Sequence, residues 1–277
     1  DTWTSVGPEG VIVFHVAVDP VVPTTVYAST SLGVMRSDNA GASWRLAGQD
    51  TPYIISLAHD PANPDRVYAC SFVGKMYRSD DAGATWLDIS EGLPPDDVNG
   101  AAVSPATGIV YALTAEQGVY RSHDAGAHWW PANTAAFAGL RAVNIAIDPA
   151  NDDIYVGLWG GGLRSSDGGN TWTSLPLDFG EDYPSAVSTA SIPNGPSIVF
   201  LSVLNEQGPG IDPGRPVMRS NDRGASWTLL GQSIPANDAT AVAVAPGLAP
   251  RVYLASAIGV YLSDDLGATW SYASGGL

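Results

Sequence analysis

The sequence predicts an all-β fold, a six-bladed β-propeller of four-stranded antiparallel blades, and three observations predict it. A turn pattern of Ser, any residue, Asp, any residue, Gly, any residue, Ser or Thr, Trp recurs six times in outline. Its tryptophans, Trp44, Trp86, Trp129, Trp172, Trp227 and Trp270, are spaced 42, 43, 43, 55 and 43 residues apart. Between these boxes the order of strand signals is constant, and no segment sustains the apolar period of a helix, so no helices are expected.

Each unit justifies four short strands in order. The first alternates and ends in Asp-Pro, as in Val16-Ala17-Val18-Asp19-Pro20 and Ile145-Ala146-Ile147-Asp148-Pro149. After a turn comes a Val-Tyr-Ala strand, as in Val26-Tyr27-Ala28, Val67-Tyr68-Ala69 and Val110-Tyr111-Ala112. A strand led by glycine, such as Gly118-Val119-Tyr120-Arg121-Ser122, then enters the box, and the fourth strand leaves from its Trp. The box is therefore the hairpin between third and fourth strands. Its Asp carboxylate can accept backbone N–H bonds, its Gly supplies a conformation other residues resist, and its Trp packs on neighbouring strands. Asp81, Asp124, Asp167, Asp222 and Asp265 are thus structural residues.

Residues 1–277 are expected to form a single propeller domain, with seven blades or part of a longer array as the alternative. Trp3-Thr4-Ser5-Val6 looks like a fourth strand whose box is missing, and Ser274-Gly275-Gly276-Leu277 echoes Ser90-Glu91-Gly92-Leu93-Pro94, which leads into a new blade.

A net charge of −16 argues against nucleic acid and anionic membranes as partners. No run approaches the roughly 18 apolar residues of a membrane span. No basic-plus-apolar leader is seen, so Asp1 is expected to be a mature N-terminus or a boundary within a longer protein. Cys70 is the single cysteine, in an apolar strand, so no intrachain disulfide is possible. The four histidines show no metal-ligand spacing, and no metal or cofactor is expected.

The boxes, with the Asp-Pro and Val-Tyr-Ala strands, resemble the Asp-box (BNR) repeats of sialidase-like, xyloglucanase-like and sortilin-like propellers, over nearly the whole chain. In such propellers the ligand face carries the loops from second to third strand and from fourth strand to the next blade. Carried onto this sequence, that puts several non-repeat aromatics at candidate ligand-binding positions: Trp159 among glycines, Tyr53, Phe72, Phe137, Phe179 and Tyr183, with Phe14 and His15 on the first inner strand. Trp130, beside a box Trp, is expected on the blade rim. The same loops are acidic, with Glu91, Asp96, Asp97, Glu116, Asp182 and Glu206 among their carboxylates, and an acidic funnel can hold a cation or a basic partner. The fifth unit carries about a dozen extra residues that are expected to project from the same face, and among them Glu206 and Arg215 are further candidate ligand-binding residues.

The resemblance to sialidases implies an Arg triad and an Arg-Ile-Pro motif. No Arg-Ile-Pro occurs, and Arg36, Arg78, Arg121, Arg164 and Arg219 each precede a box Ser as repeat residues. The resemblance to xyloglucanases implies a catalytic Asp where Ser31 stands. Glu116, with Asp96, Asp97 or Asp182 as partner, is the remaining candidate for a paired-carboxylate glycosidase. The expected function is a secreted or periplasmic module that binds carbohydrate or protein, the alternative a glycoside hydrolase acting on a neutral polysaccharide.

Overall fold

The computed structural model describes residues 6–48, 51, 53–132, 134–177, 183–191, 197–204, 217–230, 234, 239–245, 251–256 and 259–273. They form six four-stranded antiparallel sheets in a propeller arrangement, each using four consecutive strands. Blade 1 is β1 (Val13–Val18), β2 (Val26–Thr30), β3 (Gly33–Ser37) and β4 (Arg45–Leu46). Blade 2 is β5 (Ile54–Asp60), β6 (Asn63–Ser71), β7 (Lys75–Ser79) and β8 (Leu87–Asp88). Blade 3 is β9 (Val98–Val103), β10 (Val110–Thr114), β11 (Gly118–Ser122) and β12 (Trp130–Pro131). Blade 4 is β13 (Ala142–Ile147), β14 (Ile154–Leu158), β15 (Gly161–Ser165) and β16 (Thr173–Ser174). Blade 5 is β17 (Tyr183–Ser191), β18 (Ser197–Leu204), β19 (Val217–Ser220) and β20 (Thr228–Leu230). Blade 6 is β21 (Ala239–Ala245), β22 (Arg251–Ser256), β23 (Gly259–Ser263) and β24 (Ser271–Tyr272). The one helical segment among the described residues is a four-residue 3₁₀ turn, Thr134–Phe137, a small departure from the strand-only expectation. The chain divides into two compact units, Val6–Ala142 with blades 1 to 3 and a second from Val143 onward.

The Asp of each Asp-Pro pair has a turn to hold. Buried Asp19 accepts the amides of Val21 and Val22 at 2.8 and 2.9 Å, and Asp60 and Asp148 do the same for Ala62 and Ala150. The second-strand tyrosines Tyr27, Tyr68, Tyr111 and Tyr155 are buried, and Tyr27, Tyr68 and Tyr155 pack in cores shared with the following blade. Between blades 1 and 2 the core is Tyr27, Val34, Ala47, Ile54, Leu57, Val67 and Ala69. Cys70 lies in the next such core, where burial pushes its thiol up to about 12, so it is an inert packing residue.

The boxes are closed by a repeated set of bonds. In blade 2 the Ser79 hydroxyl accepts the Gly83 amide at 2.8 Å, and Asp81 Oδ1 accepts the Thr85 amide at 2.8 Å. The Thr85 hydroxyl donates to Asp81 Oδ2 at 2.6 Å. Blade 1 runs the same circuit with Asn39, and blade 3 with His128 in place of the hydroxyl residue. The left-handed backbone extends one residue further than the box glycine alone implies. Ala40, Ala82, Ala125, Arg223 and Leu266 precede it with φ between 54° and 60°. The glycine is needed for space as well as for φ: a Cβ at Gly126 would lie 2.5 Å from Ile89 Cδ1 of the preceding blade.

Boxes also latch neighbouring blades in both directions. The repeat arginines reach forward: Arg36, Arg78 and Arg219 donate to the carbonyls of Ala82, Ala125 and Leu266 in the next box. The tryptophans reach back: the Trp86 and Trp129 indoles donate to Ala47 and Ile89, each at 2.8 Å. Trp44 donates at 2.6 Å to Val6, which stands where the end of a fourth strand stands for the other boxes. The fourth-strand likeness of Trp3–Val6 is met at Val6, while Trp3 to Ser5 lie outside the described residues. Blade 4 varies the latch. Its buried Asp153 takes Arg164 at 2.8 Å and a fork from Arg223 of the next box at 2.6 and 2.7 Å.

Candidate functional site

Antiparallel pairing puts the second-to-third turns and the connections to the next blade at one end of each blade, opposite the boxes. In blades 1 and 2 this loop end carries a row of exposed apolar side chains. Phe14, Tyr53 and Phe72 are 43%, 56% and 51% exposed, and the Phe14 and Phe72 rings meet edge to face at 6.4 Å. Ile12, Leu32 and Val73 extend the row at 59–66% exposure.

Local hydrogen bonding explains why these side chains face solvent. In the β2–β3 turn the buried Thr30 hydroxyl donates to the Gly33 carbonyl at 2.8 Å and accepts the Leu32 amide at 3.1 Å. The turn's polar groups are satisfied inward, and the Leu32 side chain is left outside. Ser71 accepts the Val73 amide in the same way in the β6–β7 turn. Two further bonds tie the row together: Phe72 donates its amide to the Tyr53 carbonyl at 3.3 Å, and Ser31 donates to Ile12 at 3.1 Å.

Val73 also lines an adjoining pocket of about 580 Å³, bounded by Gly74, Lys75, Ser90, the Leu93-Pro94-Pro95 run, Asp96 and Asp97. Its lining sets apolar Val73, Leu93, Pro94 and Pro95 beside Lys75, Asp96 and Asp97. Lys75 is held by Asp88 at 2.8 Å. Asp96, one of the carboxylates in the acidic loops, is committed to architecture: Oδ2 accepts the Glu116 and Gln117 amides at 2.7 and 3.1 Å, and Oδ1 accepts Asp97 at 2.9 Å. The Asp97 carbonyl accepts the Ala115 amide at 2.9 Å. Asp97 and Glu116 therefore stand exposed on two loops stitched together at one edge of blade 3.

The remaining sequence candidates fall in three groups. Trp159 projects from the β14–β15 turn in the second unit, 42% exposed. Phe137 is not a ligand residue: it is fully buried on Gly118, where any Cβ would lie 2.6 Å from its ring, so it seals the β10–β11 turn. Phe179, Asp182, Glu206 and Arg215, with most of the fifth-unit insertion, lie outside the described residues, as does the side chain of Tyr183. Sequence reasoning missed Ile12, Leu32 and Val73. The available signal was an apolar residue at a tight turn, where polar or glycine residues are the usual choice. No cluster of three metal-ligating side chains occurs among the described residues.

This arrangement of blades is shared with a broad class of solved propellers. The chain resembles the GH74 xyloglucanase of Xanthomonas campestris at 18% identity and a TM-score of 0.74, over 95% of this chain and 47% of that one. It resembles the extracellular domain of BT4673 from B. thetaiotaomicron at 12% identity and a TM-score of 0.69, over 94% of this chain and 34% of that one. It also resembles YCF48, solved bound to D1 peptide, at 16% identity and a TM-score of 0.64, over 96% and 81% of the two chains. The chain spans about half the length of the xyloglucanase and about a third of that of the BT4673 domain. At these identities the likeness is one of fold. No family model and no curated protein matches the chain. No helix among the described residues is long and apolar enough to cross a membrane.

Proposed function

We propose that the chain is an Asp-box propeller acting outside the cytoplasm as a non-catalytic binding module, a single functional domain whose loop end grips a polypeptide. The observation that carries this reading is the row of six exposed apolar side chains from Ile12 to Val73, continuous with a pocket bordered by Asp96 and Asp97. Contiguous exposed apolar surface rimmed by polar groups is characteristic of interaction sites. Aliphatic side chains interleaved with Phe and Tyr suit apolar peptide side chains, and the exposed carboxylates of Asp97 and Glu116 suit a basic residue beside them. Solved propellers of this fold include both a glycan-cleaving enzyme and a peptide-bound protein, so the choice rests on this chain's own surface.

A glycan ligand is the second reading, favoured by Trp159, whose exposed indole in a glycine-rich turn offers a flat platform for a sugar ring. A hydrolase would need a pair of carboxylates flanking the scissile bond, for which Asp97 and Glu116 on adjoining loops of blade 3 are the described candidates.

Selection of peptides from a display library against the full chain tests the proposal. Apolar-basic peptides whose binding is lost in Phe72→Asp are expected, with no reducing ends released from neutral polysaccharides. Sugar release that Glu116→Gln abolishes would overturn the reading in favour of the hydrolase.

A further inference from the structure

Blade 3 departs from the repeat at three box positions, and all three departures are aromatic. His123 stands where other boxes have Asp38, Asp80, Ser166, Asn221 or Asp264. His128 replaces the hydroxyl residue, and Trp130 stands where others have Arg45, Leu87, Thr173, Thr228 or Ser271. The fold demands none of these side chains, since the same turn closes without them five times over. Yet they converge: the His123 and His128 rings lie 6.0 and 5.9 Å from the Trp130 ring, one on an edge and one tilted. Trp130 is 47% exposed on the outermost strand, so this is neither core nor the loop end.

A groove of about 350 Å³ opens beside them, lined by Glu91, Gly92, Ala127, His128, Trp129 and Trp130. Its volume falls in the range of small-molecule sites, about 300 to 1,000 Å³. Trp129 is buried and forms the floor, while Trp130 gives an open aromatic wall. His128 Nδ1 is bonded to Asp124 Oδ2 at 2.7 Å, which leaves Nε2 as its free ring nitrogen. Glu91, expected among the ligand-face carboxylates, belongs to this groove instead. Its exposed carboxylate forms no bond with a described residue.

We infer that this rim groove is a binding site for a neutral pyranose, distinct from the loop-end surface. The C–H face of a sugar ring with equatorial substituents packs on the Trp130 indole, and its hydroxyl edge meets the Glu91 carboxylate and His128 Nε2. Glu91 and Asp124 repel acidic sugars. An open indole face beside one carboxylate and one imidazole nitrogen suits a ring with an apolar face and a hydroxyl edge better than a compact ammonium group. The inference does not depend on what the loop end binds.

Calorimetric titration of the full chain with cello-, xylo- and manno-oligosaccharides tests it. Binding of at least one series is expected, weakened about tenfold or more in Trp130→Ala and unchanged in Phe72→Asp. His128→Thr restores the repeat's own residue, so it keeps the box closed and isolates the ring's contribution. Several-fold weaker binding at unchanged thermal stability is expected for it. Failure of all three series to bind, binding that Trp130→Ala leaves intact, or preference for tetramethylammonium over sugars would each overturn the inference.

Discussion

The two ends of blades 1 to 3 treat their side chains in opposite ways. At the box end, the Asp and Ser oxygens, the left-handed carbonyls and the guanidinium and indole donors are paired in a circuit repeated from blade to blade. At the loop end the turn polar groups are satisfied inward by Thr30 and Ser71, and apolar side chains stand in water. One end is built for cohesion, and substitution there acts on stability. The other holds uncompensated apolar surface, and substitution there acts on recognition. The rim of blade 3 sharpens the contrast, because it adds exposed aromatics to a box that is closed all the same.

This contrast can be broken by measurement, beginning where the largest effect is expected. Asp153→Asn strips the charge that Arg164 and Arg223 share while leaving both cations in place, and it should lower unfolding free energy by about 3 kcal/mol in denaturant titrations. Gly126→Ala forces a Cβ onto Ile89 at a left-handed φ and should cost about 2 kcal/mol by the same assay. Ala82→Gly has the opposite sign: it releases a left-handed alanine and should stabilise by about 0.5–1 kcal/mol. A Cm that falls for Ala82→Gly would show that position four is not strained.

Acid titration should unfold the box end in two windows. Burial, largest among its causes, holds the His59 pKa below the ordinary 6.5, and both its ring nitrogens are buried without a partner. The unfolded chain binds that proton first, so stability present above about 6.5 declines as pH falls below it. His59→Leu should remove this phase. The box carboxylates follow. Hydroxyl and backbone donors from Thr171, Ser226 and Thr269 hold Asp167, Asp222 and Asp265 at about 2. Their contribution is complete above the usual carboxylate range and is lost as pH falls through about 2. The smallest effect on stability belongs to the loop end. Phe72→Ala should shift unfolding free energy by no more than about 0.5 kcal/mol while abolishing binding of the selected peptides. A large loss of stability there would make the aromatic row a structural element.

The architecture was legible because its signal is periodic: six boxes, Asp-Pro ends and Val-Tyr-Ala strands each name a strand or turn by local chemistry alone. The bonds that Asp81 accepts from Thr85 follow from the same local chemistry. The site was less so, because it depends on which groups meet across separate loops. Asp96 and Glu116 look alike as loop carboxylates, yet Asp96 is consumed by amides 20 and 21 residues away. Phe137 and Phe72 look alike as loop aromatics, yet one seals a glycine turn and the other is exposed. Leu32 and Val73 were passed over because single apolar residues in turns carry no pattern.

The two-way latch gives the repeats that carry it a polarity. In blades 1 and 2 the arginine takes a carbonyl ahead, and in blades 2 and 3 the tryptophan takes a carbonyl behind, all of them backbone atoms, whereas blade 4 uses the Asp153 carboxylate and Trp227 turns to Gly224 of its own box. A duplicated or deleted stretch of one repeat length, cut at the same point in two boxes of this kind, therefore joins its new neighbours with these backbone latches intact. Gene duplication can change the number of blades in such a chain without first solving a new packing problem, and side chains on loops and rim are then free to diverge, as those of blade 3 have done.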